Sequence, residues 1–220
     1  MSNPDSFIDE VTEEVRRDRL FAAFRKYGWI GVLVVLAIVG GAGWNEWQKA
    51  QATARAQGFG DALLEALDMG GAEERRAAMA DVPADGAQLA LRGLMLASDP
   101  AADKAAALAA LDAVIADPAT PEAYADVARL RRVLVAGAEM PLADRRTMLE
   151  AISAPGRAFR TLAAEQLAYL LIEEGKTDEA IAALSALMQD QEATQGLRAR
   201  AGQVITALGG TPPGAAAGQG

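Results

Sequence analysis

The sequence predicts an all-α protein, with a single N-terminal transmembrane helix followed by a solenoid of helical hairpins. Three observations carry that expectation. Nineteen consecutive residues between Lys26 and Glu46 bear no charge, a length and composition suited to the hydrocarbon of a bilayer. No later stretch alternates apolar and polar residues with the period of a strand. Instead, alanine- and leucine-rich segments of helical length follow one another, punctuated by proline, glycine and aspartate.

Composition narrows the function. Aromatic residues make up only 5% of the chain, which suits helices that cross closely on alanine better than sheets built from aromatic and β-branched side chains. Cysteine and histidine are both absent. That excludes disulfides and thiolate chemistry, and removes the commonest metal ligand and the usual general base near neutral pH. From Gln48 onward 23 acidic groups face 16 basic ones, a net charge of −7. A surface of that sign repels phosphate backbones, so nucleic acid is not an expected partner. Arginine outnumbers lysine 17 to 4, which with abundant alanine and glycine points to a GC-rich bacterial genome.

The uncharged run defines the first element. As a helix, Tyr27 to Trp47 spans roughly 30 Å, the thickness of a hydrocarbon core. Tyr27 and Trp29 mark one end, Trp44 and Trp47 the other, the interfacial positions that amphipathic rings favour. A buried core helix would need a surrounding domain that the polar residues before it cannot supply. A cleaved signal would find small residues at Gly40 and Ala42, but a signal opens with a short basic region, and this run follows a long one rich in acids. The expectation is therefore a retained anchor in the lipid bilayer. Arg16, Arg17, Arg19, Arg25 and Lys26 precede the span, against Lys49 and Arg55 after it. Positive-inside counting then places residues 1–26 in the cytoplasm and residues 48–208 across the membrane. Within the span Ala37 and Gly41 form a small-xxx-small pair, and Gly40 and Gly43 widen a smooth strip on which a second transmembrane helix can pack.

The flanking elements follow. Residues 1–26 read as an amphipathic segment with Ser6 as its cap and Phe7, Val11, Val15, Phe21 and Phe24 near one stripe, lying on the membrane or docking to a partner. Beyond the span a helix continues past Gly58 and Gly60 to the Gly70-Gly71 pair. Short helices are then expected over 72–82, 86–98, 102–117, 121–137, 140–152, 159–175, 176–190 and 194–210, most of them bounded by proline, glycine or aspartate. The tail, residues 209–220, has no core-forming side chain and is expected to be disordered.

Residues 161–194 contain an internal pattern. One helix carries Leu167, Ala168 and Leu171, Gly175 turns the chain, and a second carries Ala180, Ile181 and Leu184. Small residues at Ala168 and Ala180 let the two helices cross closely while the leucines fill the space between neighbouring pairs. This resembles a tetratricopeptide repeat of 34 residues, departing from it at Leu187, where a small residue is expected, and at Glu192, where proline is usual. A second unit ends with Ala106, Ala113 and Pro118. A third opens with Pro121, Tyr124, Val127 and Ala128, with a longer loop from Gly137 to Pro141. In such solenoids the first helix of each pair lines the concave face. By this alignment that face includes Arg129, Arg132, Glu165 and Tyr169, whose guanidinium groups and ring suit contact with a protein partner.

The order of parts, with Gly43-Trp44 and Trp47 at the outer boundary of the span, resembles the bacterial YfgM-like family of ancillary subunits of the SecYEG translocon. That resemblance implies a single-pass inner-membrane protein whose periplasmic domain recruits periplasmic chaperones to the translocon. An accessory or assembly subunit of another membrane complex, such as a respiratory one, would carry the same features, as would an adaptor in envelope or division-site organisation. No catalytic constellation accompanies them. Glu73-Glu74, Glu173-Glu174 and Asp178-Glu179 are adjacent pairs that do not converge on a helix, no glycine-rich loop follows a strand, and no cofactor or metal site is expected. The sequence reads as a scaffold, not an enzyme.

Overall fold

The computed structural model describes the backbone of residues 4–214 and the side chains of residues 25–214. Among the described residues there are nine α-helices and no strand. They are α1 (Pro4–Leu67), α2 (Ala72–Asp81), α3 (Ala87–Leu96), α4 (Lys104–Ala116), α5 (Glu122–Ala136), α6 (Leu142–Ile152), α7 (Arg160–Glu173), α8 (Thr177–Gln189) and α9 (Gln195–Ala207), with one 3-10 turn at Gly137–Glu139. The fold class read from the sequence is the one observed. The chain divides into two compact units, residues 1–60 and residues 61–220.

The first unit is helix throughout its described length. No proline follows Pro4 in α1, and the glycines before Leu67 leave the helix uninterrupted. Ser6 lies within α1 and does not cap its start, and Pro4, the first described residue, is already helical. The side chains of the expected amphipathic stripe lie outside the described residues. From Arg25 to Gly58 no side chain is buried, and this stretch contains a run long and apolar enough to cross a membrane.

In the second unit each helix from α3 to α9 packs against the next, and α3 also meets α5 as α7 meets α9. Alanine sits where helices cross: Ala128, Ala163, Ala180 and Ala201 are fully buried. Leucine and isoleucine fill the layers between. Leu94, Leu111 and Val114 pack with Ala128 and Tyr124; Leu149, Ile152 and Leu170 with Val133 and Ala163; Leu184 and Ile205 with Ala168 and Ala201. The two departures from the repeat pattern have physical reasons. Leu187 packs with Ala193 and Leu197, and Glu192 receives a bond from Arg160.

Two helix ends use left-handed glycines. Gly175 (φ 75°) and Gly209 (φ 83°) follow α7 and α9. In each case the glycine N–H and the next N–H turn back, Gly175 to Ile172 and Lys176 to Leu171, Gly209 to Thr206 and Gly210 to Ile205. This is the double hydrogen bond of a Schellman motif. The segment expected to be disordered from residue 209 thus begins with an ordered cap, while residues 215–220 lie outside the described residues.

Close helix approach is most demanding at Gly93. A Cβ there would lie 2.4 Å from Val114 Cγ2, so α3 and α4 meet at a distance only glycine allows. Gly93→Ala is expected to destabilise the second unit by about 1–3 kcal/mol. Gly196→Ala, near the exposed start of α9 with only the tip of Arg200 nearby, is expected to stabilise it by up to about 1 kcal/mol. Urea unfolding of both variants checks the opposite signs.

Candidate partner-binding surfaces

The first candidate surface is the apolar band of α1. Tyr27, Trp29, Trp44 and Trp47 are all more than half exposed. The Lys26 ammonium lies 5.4 Å from the centroid of the Tyr27 ring, and the rings of Trp44 and Trp47 sit 5.1 Å apart, tilted by 40°. Each end of the apolar run therefore carries amphipathic rings, as interfacial anchors do. Added Cβ atoms at Gly40, Gly41 and Gly43 would touch nothing within 4 Å. With Ala37 one turn before Gly41, the strip read from the sequence is open along this unit.

The second surface belongs to the helical array, and its character follows from where the cations go. None of the second unit's helices has a base in its own last turn. Several receive one from another helix. Arg92 donates to the Ala80 and Val82 carbonyls at the end of α2. Arg131 donates to Leu94 and Ala97 at the end of α3. Lys104 reaches Ala136 at the end of α5, and Arg198 reaches Asp190 just past α8. A cation at a helix C-terminus meets the unpaired carbonyls and the negative end of the dipole.

Most of the remaining arginines clamp carboxylates about one repeat away, while Arg75 holds the Met69 and Gly70 carbonyls. Arg145 grips Glu173 with two bonds of 2.9 and 2.7 Å. Arg146 reaches Glu174 at 2.7 Å, and Arg160 bonds both Asp190 and Glu192. Arg157 bonds Glu122 and Asp126, and Arg76 bonds Asp103. Every arginine and lysine between Asp61 and Gly214 is engaged in this way, by a carboxylate or by a backbone carbonyl.

The four face residues expected from the repeat alignment fall inside this network. Arg132 donates to Asp112 at 2.6 Å, and Arg129 to Asp126 at 3.3 Å. Glu165 and Tyr169 come together: the tyrosine hydroxyl donates to Glu165 Oε1 at 3.0 Å, and Arg200 from α9 holds both carboxylate oxygens at 3.0 and 2.9 Å. Glu165 is only 3% exposed, so its carboxylate ties α7 to α9 and is not presented to solvent. Asp126, 1% exposed, was not singled out from the sequence. The signal for both lay in arginines placed about one period further on. Among the described residues no three carboxylates gather as metal ligands.

These contacts set the pH response. Arg145 holds Glu173 below its ordinary value; Lys176, then Arg146, do the same for Glu174. The Glu192 N–H, then Arg160, hold Asp190 down. A carboxyl depressed in the folded state contributes stability above its unfolded pKa and loses it as pH falls through the folded value. Asp126 has the opposite sign: burial pushes it up against the pull of Arg129, so its share is present at low pH and lost as pH rises. The depressed groups outnumber it. The urea midpoint of the second unit is expected to fall as pH drops below about 4.5, the ordinary glutamate value.

Removing Arg200 tests the buried carboxylate directly. Arg200→Met leaves Glu165 without its cation and is expected to cost about 1–3 kcal/mol, less than a fully buried pair because Arg200 is half exposed. Adding Glu165→Gln is expected to recover part of the loss, read as coupling in a double-mutant cycle by urea unfolding.

Comparison with known proteins agrees with this geometry. A family model described as a tetratricopeptide repeat-like domain matches residues 23–210, covering the apolar run of α1 and the whole array. Searches of curated proteins and of solved structures return no match. With helical hairpins packed in sequence order, and with a match over most of its length, the chain belongs to the tetratricopeptide repeat-like domain family.

Proposed function

We propose that the protein is an inner-membrane-anchored periplasmic scaffold, working at the Sec translocon with periplasmic chaperones, by binding and not by catalysis. The observation that carries this reading is the joining, in one chain, of two parts. One is a helix with a fully exposed, membrane-length apolar run. The other is a tetratricopeptide-like array, a fold whose stacked hairpins present extended binding surfaces. Five basic residues before the span against two soon after it support an N-terminus in the cytoplasm. The open strip at Ala37, Gly40, Gly41 and Gly43 supports contact with a transmembrane helix of the complex. The resemblance to the YfgM-like ancillary subunits supports the choice of complex.

The test is affinity purification of the full chain from membranes in mild detergent, followed by mass spectrometry. Recovery of SecYEG subunits together with periplasmic chaperones is expected. Changing Gly40 and Gly41 together to leucine is expected to cut the translocon recovery several-fold while leaving the chaperones associated with the array. Recovery of respiratory or division-site proteins alone, without any Sec subunit or chaperone, contradicts the proposal.

A further inference from the structure

A groove of about 230 Å³ runs between α3 and α4, floored by Ala90, Gly93, Ala110 and Val114 and edged by Leu89 and Asp117. Its opening has a structural cause. On one side α5 covers the α3–α4 pair through Tyr124, Val127 and Ala128. On the other, α2 is only ten residues long and buries a single side chain, Met79. It lies against the second half of α3, where Met79, Met95 and Leu96 share a small cavity, and it stops at Val82, before Pro83. The first half of α3 is left uncovered, and Leu89 and Leu91 are each 37% exposed. At 230 Å³ the groove is smaller than the usual small-molecule site but suits an inserted apolar side chain.

Charge identifies what enters it. Arg92 borders the groove as a single positive charge, its guanidinium fixed by the Ala80 and Val82 carbonyls at the end of α2. Asp117 lines one end, and Asp81 and Asp85, in or beside the short α2–α3 connection, have no cation partner among the described residues. Throughout residues 61–214 the bases are engaged internally while such carboxylates are left over. A second copy of the array would bring more negative charge and no free base, so like charges oppose self-association here. Thr120 Oγ1, also lining the groove, is buried without a hydrogen-bond partner among the described residues.

We propose that the α3–α4 groove binds a basic segment of a protein partner, an apolar side chain entering between Leu89 and Val114 while flanking lysines or arginines meet Asp81, Asp85 and Asp117. This deepens the scaffold reading, on which it rests, by naming the chemistry of the partner. None of Arg129, Arg132, Glu165 and Tyr169, which the repeat alignment assigned to the concave face, lines this groove.

The experiment uses the full chain in phosphatidylcholine nanodiscs, which carry no net charge to attract a cationic probe. Two fluorescent twelve-residue peptides are titrated, each with a central leucine pair, one flanked by lysines and the other by glutamates, and anisotropy is read. The lysine peptide is expected to bind, and the glutamate peptide at least ten-fold more weakly. Ala113→Trp, which fills the groove from an exposed position of α4, is expected to weaken binding at least ten-fold with the helical circular dichroism retained. Asp81→Lys with Asp85→Lys, in exposed positions that leave the core untouched, is expected to do the same. Equal binding of the two peptides, or binding unchanged within two-fold in both variants, overturns the proposal. So does light scattering that shows a dimer of the parent chain turned monomeric by Ala113→Trp, since a second copy then fills the groove. The assay contains no translocon or chaperone, so its failure removes this site and leaves the purification result to judge the scaffold reading.

Discussion

The helical array depends on cations that reach from one helix to another. Its core is thin, because alanine occupies the crossings at Ala128, Ala163, Ala180 and Ala201 and alanine buries little area. Arginine makes up the difference in two ways. Arg92, Arg131 and Arg198 close helix C-termini that have no base of their own, and Arg145, Arg157, Arg160 and Arg200 tie carboxylates about one repeat away. Individual ion pairs at a surface contribute little. These ties gain weight from two-bond geometry and, at Asp126 and Glu165, from burial that would make an unpaired carboxylate costly.

The same arrangement shapes what the protein can bind. A chain whose array carries 23 acidic residues can be soluble without offering a charge pattern, if acids and bases pair evenly. Here the bases are engaged by carbonyls and carboxylates of the array itself, and the surplus carboxylates are left for a partner to meet. The α3–α4 groove adds an apolar pocket to that acidic surface where α2 is too short to cover its neighbour. On α1 the reverse holds: the exposed surface from Ile30 to Val39 is apolar, and its rings and glycines lie in the open. One unit suits lipid and transmembrane helices, the other basic segments of soluble chains.

Much of the architecture was legible in the sequence because its signals are local. Gly175 needed a left-handed conformation that only glycine adopts cheaply, so the end of α7 could be read to within two residues. Pro83, Pro118 and Pro121 bounded α2, α4 and α5 for similar steric reasons. The uncharged run between Lys26 and Glu46 identified α1's apolar band, though not that one helix would run without a break from Pro4 to Leu67. The candidate face was harder. Whether Glu165 points to solvent or to Arg200 depends on contacts 35 residues apart, and helical periodicity alone does not reach that far. The 34-residue repeat spacing did hold the clue, since Asp126 and Arg157, like Glu165 and Arg200, lie about one period apart.

The proposed scaffold role requires the array and the N-terminal segment to lie on opposite sides of one membrane. The absence of cysteine allows a direct measurement. Ser2→Cys and Thr211→Cys are made separately in the full chain, and bacterial cells with permeable outer membranes are exposed to a membrane-impermeant maleimide before and after lysis. Labelling of Thr211→Cys in intact cells, and of Ser2→Cys only after lysis, is expected. Labelling of Ser2→Cys in intact cells with Thr211→Cys protected would contradict the proposed role.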